Sequence, residues 1–316
     1  MSTSPTGPAG ASGPLIRSGT VEPLNRSRTV ERELVHRASV AEVLLTDVRP
    51  AAGRPDAFEA AAAWPRAHTT FPRDGSQRHS PLVLVETLRQ LGLYIPLRFH
   101  GVPAACHAII TDLYFRLAPE REPAAGPGAT EITCRARVGG VRRAPGGTVT
   151  GLRLDVSFAA RGAVFGQGGG GVRFVDGAGY AALRGRGAAP VEPSGIRAGA
   201  SRPPAAALTV NHPQDAVLAE DGDGLLVAPA DPLHPFLFDH PSDHVPGMVL
   251  LEAARQAAAY RSGGALARPC AGQLRAVRFT ELAPSARVLC TRHHSTCVFR
   301  VVQDGTPTAY GTLSYP

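Results

Sequence analysis

The 316-residue sequence contains no lysine, and all 33 basic residues are arginine. With abundant Ala, Gly and Pro, this marks GC-rich coding, so a single arginine carries little meaning by itself. Long apolar runs are missing too. No stretch reaches 18 apolar residues, which excludes an ordinary transmembrane helix. Residues 1–24 are rich in Ser, Pro, Gly and Thr and have no apolar core, which excludes a secretory signal and points to the cytoplasm. Cysteine is sparse. Cys106, Cys134, Cys270, Cys290 and Cys297 include no C-x-x-C pair, so reduced thiols are expected rather than a disulfide framework or a zinc site. His293 and His294, flanked by Cys290 and Cys297, read as part of a strand. Alternation there sends neighbouring side chains to opposite faces, and no metal is expected. The glycine run at 168–171 lacks the helix and Lys-Ser/Thr of a P-loop and reads as a strand bulge or turn. No G-x-S-x-G elbow is present, which argues against an α/β-hydrolase. No cofactor motif is found.

What is present is a basic, globular composition. Hydrophobic residues make up 43% and charged residues 19%, with a net charge of +7. That balance suits an acidic partner: nucleic acid, a phosphorylated substrate or an acidic carrier protein. No arginine cluster with interleaved aromatics occurs, so nucleic acid is the least favoured and no membrane partner is expected. The length suggests about two domains. Residues 1–30 have the composition of a disordered tail, and residues 184–207 that of a Gly/Pro/Ala-rich linker. Two domains are therefore expected at 31–183 and 208–316.

The two segments repeat one pattern. Each has an apolar run after a histidine: His36 leads to Val43-Leu44-Leu45, and His212 leads to Val217-Leu218. Each then has an apolar helix with one spacing, Pro81-LVLV-Glu86-TL-Arg89-Gln90 and Pro246-GMVLL-Glu252-AA-Arg255-Gln256. Each helix is followed by a strand ending in Ala-Pro, Asp112-LYFRLA-Pro119 and Ala276-VRFTELA-Pro284. Each segment closes on a hairpin, turning at Arg161-Gly162 and at Asp304-Gly305. Consecutive strands that outnumber helices indicate α+β. A helix apolar nearly all round is buried. The unit reads as a hotdog fold, a curved antiparallel sheet wrapping a central helix. The chain is then a tandem (double) hotdog with two such sheets, paired as an intrachain pseudo-dimer.

The chemistry concentrates in His234-PFLF-Asp239-His240-PS-Asp243-His244-V-Pro246-Gly247-Met248, which leads into Glu252 and Arg255. Pro-Gly marks a sharp helix start whose free N–H groups, those of Gly247 and Met248, can hold a developing oxyanion. Glu252 and Arg255 lie three apart and share a helix face. They are candidates for catalysis, or they form an intrahelical ion pair and nothing more. His240, His244 and Asp243 are the alternative acid–base groups, since histidine ordinarily titrates near pH 6.5. In the first copy Glu86 and Arg89, with His79 ahead of them, invite the same two readings. The loop from Trp64 to His79 holds Arg66, His68 and Arg73, which could bind a phosphate or could be a solvated surface.

The second helix region resembles the hydratase/dehydratase hotdog motif, in which a loop histidine and a helix glutamate act on an acyl thioester. Aligned on Pro246-Gly247 and Glu252, the dehydratase histidine falls on Phe238, and a small gap brings in His240. That departure counts against dehydration. The whole chain resembles the A-factor biosynthesis (AfsA-like) family of actinobacteria through Val35-HRASVAEVLLTD, Trp64-PRAH, His79-SPLVLVETLRQLG, Gly101-VP and above all Asp239-HPSDHVPGMVLLEAARQ. The resemblance implies a γ-butyrolactone synthase. Such an enzyme transfers a β-ketoacyl group from acyl carrier protein to dihydroxyacetone phosphate, opening the synthesis of a butyrolactone, butenolide or furan signal. Beside it, the residue reading keeps Glu252, Arg255, Glu86, His240, His244 and Asp243 as catalytic candidates, Glu252 and Arg255 first. Arg89, His79, Gly247, Met248, Arg66 and His68 follow as substrate-binding candidates. A thioesterase or dehydratase, and a non-catalytic acyl-binding regulator, are the competing readings. Whether the pseudo-dimer works as a monomer or as a homodimer stays open.

Overall fold

The computed structural model describes residues 22–66, 68, 77–185 and 199–316. The N-terminal half comprises β1 (Leu45–Pro50), β2 (Ala57–Trp64), α1 (Pro81–Phe99), β3 (His107–Leu117), β4 (Thr130–Arg143), β5 (Val149–Ala160), β6 (Ala163–Val175) and α2 (Gly177–Arg184). The C-terminal half comprises β7 (Leu218–Asp221), β8 (Gly224–Val227), α3 (Gly247–Arg261), β9 (Ala271–Ala276), β10 (Arg287–His293), β11 (Thr296–Gln303) and β12 (Thr306–Ser314).

The two expected sheets are the two halves of one. Twelve strands run in the order β1-β2-β4-β5-β6-β3-β9-β12-β11-β10-β8-β7, every neighbouring pair antiparallel. The order mirrors itself about the β3–β9 pair, whose register runs from Asp112↔Arg275 to Arg116↔Ala271. Each half is thus a sheet wrapped on one central helix, α1 or α3, and the fold is a double hotdog.

The helices form for the reasons the pattern gives. Ser80 caps α1 by accepting from Leu82 N–H, and Pro81 sits in the first turn, where its missing donor costs nothing. Leu84 and Leu88 press onto β6 so closely that a Cβ on Gly166 or Gly168 would meet them at 2.7 and 3.3 Å. In the C-terminal half the sizes are exchanged. Helix α3 contributes Ala253, Ala254, Ala257 and Ala258, and the strands under it contribute Val288, Phe299, Val301 and Leu313, all buried.

Several expectations are corrected. The glycine run lies inside the regular strand β6, with no bulge or turn of its own. The register shift is across from it, between Ile110 and Asp112 of β3. The strand expected from Ala276 to Pro284 ends where it was to begin. Val277 and Arg278 N–H still donate to Thr308 C=O of β12, and beyond them Thr280 C=O accepts Val245 N–H at 2.8 Å, tying this segment to the start of α3. His293 and His294 do not share a strand. His294 takes φ +52° in the turn between β10 and β11, and that fold-back brings Cys290 and Cys297 into a disulfide with Cα atoms 6.3 Å apart. The thiols of Cys106, Cys134 and Cys270 stay free. The last part of the expected tail is ordered. Val30 N–H donates to Leu45 C=O, and Arg26 reaches Thr133 Oγ1 at 2.8 Å, so residues 22–30 are held against the sheet. Residues 1–21, Arg73 and residues 186–198 of the expected linker lie outside the described residues.

Candidate active site

The doubled E-x-x-R-Q spacing builds the same device twice. In α3, Glu252 is buried and accepts from Arg255 at 2.8 and 2.7 Å and from Gln256 at 2.8 Å. Arg255 goes on to Leu208 C=O and Ala267 C=O, and Gln256 bridges Asp215 C=O and Val217 N–H ahead of β7. In α1, Glu86 accepts from Arg89 at 2.8 and 2.9 Å and from Gln90 at 2.6 Å. Gln90 then bridges Glu42 C=O and Leu44 N–H ahead of β1. Spacings of three and four put all three side chains on one helix face, where they sew the helix to the incoming strand. Each carboxylate is thus already engaged by three donor groups of its own helix.

The N-terminal copy carries an addition. Arg37 inserts from the segment before β1 and contacts Glu86 Oε1 at 2.8 Å. Burial alone would raise the Glu86 pKa, but Arg89 and Arg37 outweigh it and hold it at about 2. Arg37 also donates to Phe236 C=O, and Asp239 accepts from Ala38 and Ser39 N–H at 2.6 and 3.2 Å. The loop of the C-terminal half is thereby laid along the N-terminal helix. His240 arrives with it, and burial, then Arg89 and Arg37, lower its pKa. His36 lies in the same field. Burial first, then Arg89, His240 and His107, bring its imidazole down to about 4. Burial and the neighbouring arginines thus disfavour the charged form of both rings.

Three residues past His240, Asp243 accepts a 2.7 Å bond from His244 Nδ1. Burial works against this carboxylate, yet hydrogen bonds from His244 and Tyr180 hold it below its usual range. With Nδ1 engaged, the half-buried His244 presents Nε2 as its open acceptor. Pro246 gives α3 no side-chain cap, so the first amides of the helix, Gly247 and Met248, are left to other partners. A histidine, a carboxylate oriented on it and the uncapped first amides of α3 thus fall within six residues.

The AfsA family model, described as an A-factor biosynthesis hotdog domain, matches residues 19–176 and 213–274. The chain belongs to this family. A Streptomyces virginiae protein named 2-oxo-3-(phosphooxy)propyl 3-oxoalkanoate synthase is 39% identical over 242 residues, covering 73% of this chain and 76% of its own. A Streptomyces coelicolor protein of the same name is 32% identical over 256 residues, covering 80% and 78%. Among solved structures, an acyl-ACP thioesterase from Bacteroides thetaiotaomicron superposes with a TM-score of 0.48 at 9% identity, over 82% of this chain and 98% of that one.

In this AfsA-family chain the remaining candidates fall apart from the dyad. His79 is buried, with Nε2 2.8 Å from Thr130 Oγ1 and its ring edge-on to Trp64. His68 Nε2 lies 3.1 Å from the Glu42 carboxylate, and Arg66 is exposed. His36, Arg37, His107, Tyr180 and Arg184 were not picked out from sequence. His36 and Arg37 fall inside the Val35-HRASVAEVLLTD segment, which was a usable signal. Tyr180 and Arg184 sit in a stretch with no signal at all. A groove of about 890 Å³ on the outward sheet face, lined by Arg116, Arg275, Arg300 and Tyr310 among others, lies away from the central helices. Among the described residues, no helix is long and apolar enough to cross a membrane.

Proposed function

We propose that this protein joins a 3-oxoacyl group, presented as a thioester by acyl carrier protein, to the hydroxyl of dihydroxyacetone phosphate. The product has the composition in the relatives' printed name. The observation that carries the reading here is the Asp243–His244 dyad at the uncapped start of α3. Asp243 fixes the imidazole tautomer, and His244 Nε2 accepts the hydroxyl proton. The alkoxide oxygen attacks the thioester carbonyl, and the Gly247 and Met248 amides meet the oxyanion. As the C–S bond breaks, His244 returns the proton to the leaving thiolate. Arg89 spends its charge on Glu86 and joins the scaffold, and His36 and His240 beside it are the groups left to line a seat for the phosphate. Glu86, Glu252 and Arg255, expected as catalytic groups, take the role of a scaffold, since each already spends its charge within a buried pair. Buried apolar α1 and α3 suit a fatty chain. The +7 net charge suits an acidic carrier, and thioester and sugar phosphate substrates suit the cytoplasm.

The test is mass spectrometry of the protein with a 3-oxoacyl thioester, with and without dihydroxyacetone phosphate. A phosphate ester formed only with the acceptor, and lost in His244→Gln, is the expected result. Free acid or an enoyl product in both tubes would replace this reading with a thioesterase or dehydratase.

A further inference from the structure

Helix α2 follows β6 at the end of the N-terminal half, and Arg184 is its one buried residue. It does not serve the core, since Leu183 is exposed beside Arg184. What it does is reach the C-terminal half. Tyr180 Oη donates toward Asp243, 2.8 and 3.0 Å from its two carboxylate oxygens. Arg184 donates from Nε to Asp243 Oδ2 at 3.0 Å and from Nη2 to Asp243 C=O at 2.8 Å. The same guanidinium takes both oxygens of Glu281 at 2.7 Å, and its side chain is 2% exposed. Rings complete the enclosure. His107 stacks flat on Tyr180 at 3.8 Å, and Phe279 stands edge-on to both Tyr180 and His244 with Arg184 over its face.

We propose that Tyr180 and Arg184 are positioning residues that reach His244 through Asp243, so that one half of the molecule aims the base of the other. This rests on the reading of His244 as the base. A carboxylate with one hydrogen bond can swing, and a swung carboxylate releases the imidazole to either tautomer. Asp243 cannot swing, because Tyr180 and Arg184 pin both its oxygens and its backbone carbonyl. The pinning also sets how strongly Asp243 favours imidazolium. Charge that it shares with the phenol and the guanidinium is not available to His244, so the proton taken from the substrate is held less tightly and is more easily returned. The ionisable groups around the dyad are Tyr180 and Arg184 of α2, His107 of β3 and Glu281 after β9.

Tyr180→Phe is the cleanest probe, because it keeps the ring stack and removes only the hydroxyl. The expected result is kcat lower by about tenfold, KM for dihydroxyacetone phosphate unchanged, and the acid limb of the rate profile moved to higher pH. In Arg184→Lys the fork is lost, and the fall in kcat is larger. An NMR titration of His244 in both variants supplies a readout that does not need turnover. Its midpoint rises in Tyr180→Phe, by about half a unit or more. An unmoved midpoint overturns the proposal, whether activity is retained or falls only in step with melting temperature. If the wild-type protein forms no ester, the acyl-transfer reading fails by itself, and the titration still decides whether α2 positions His244.

Discussion

The two central helices carry one motif in two settings. Under α1 the small residues are on the sheet, at Gly166 and Gly168, and the large ones on the helix, at Leu84 and Leu88. Under α3 the alanines are on the helix, and Phe299, Val301 and Leu313 are on the strands. Both helices are sewn to their incoming strand by Glu, Arg and Gln, yet only Glu86 has a second arginine and a loop from the other half lying over it. The helix starts differ most. Ser80 closes the first, with His79 buried behind it, whereas Pro246 leaves the second uncapped, with His244 half-open on Asp243. The scaffold is the same in both copies, and on the proposed reading the chemistry belongs to one of two equivalent helix starts.

The comparison breaks most visibly at the histidines. His244→Gln is expected to lower kcat by roughly 10²–10⁴-fold with little change in melting temperature. His79→Gln is expected to do the reverse, losing stability by about 1 kcal/mol with kcat kept. Steady-state kinetics beside thermal melts on both proteins checks this, and a larger kcat loss in His79→Gln would move the site to the first helix start.

Next in size is the scaffold. Glu86→Ala strands Arg37 and Arg89 in a buried site and is expected to destabilise by about 3–5 kcal/mol. Glu252→Ala strands one arginine, Arg255, instead of two, so the loss is smaller. Urea denaturation of the two variants measures the difference. Equal losses would mean that Arg37 adds nothing to the N-terminal cluster.

The same cluster makes the N-terminal half sensitive to acid. Glu86 titrates at about 2 in the folded chain, below its ordinary 4.5, so the folded state prefers it ionised. Its stabilisation is complete above pH 4.5, is lost as pH falls from there toward 2, and amounts to about 3 kcal/mol. His36 acts earlier. Its folded value of about 4 lies below 6.5, so the unfolded chain takes up the proton first, and stability falls as pH drops from 6.5 to 4. Stability against pH should therefore decline in two overlapping windows. His36→Asn, which tolerates the left-handed backbone at φ +49°, should flatten the upper one. A curve unchanged between pH 6.5 and 4 in that variant would remove His36 from the account.

Much of this was legible in the residues. Period and composition placed both buried helices, and the Arg161-Gly162 and Asp304-Gly305 turns adopt positive φ at both positions, as tight hairpin turns require. The E-x-x-R-Q spacing also located the buried charges. Their job stayed open because local spacing cannot say whether a helix carboxylate faces a substrate or the backbone of a strand some 40 residues away. The turn at His294 lacked any Gly or Asn signal, so the β10–β11 hairpin and its disulfide went unseen. Tyr180 and Arg184 were invisible for a different reason: their partners Asp243 and Glu281 lie 59–97 residues off, in the other half of the sheet.

The smallest expected effect separates capping from catalysis at the two helix starts. Ser80→Ala removes the Leu82 N–H partner and should cost about 1 kcal/mol with kcat unchanged. The reciprocal change, Pro246→Ser, supplies α3 with the cap it lacks. A serine hydroxyl there competes for the same amides that the oxyanion needs, so stability should hold while kcat falls by a few-fold. The pair is informative because chemistry and capping draw on the same unsatisfied N–H groups. If Pro246→Ser lowered neither kcat nor kcat/KM, the α3 amides would not be meeting the oxyanion, and the asymmetry between the two helix starts would be a matter of packing alone.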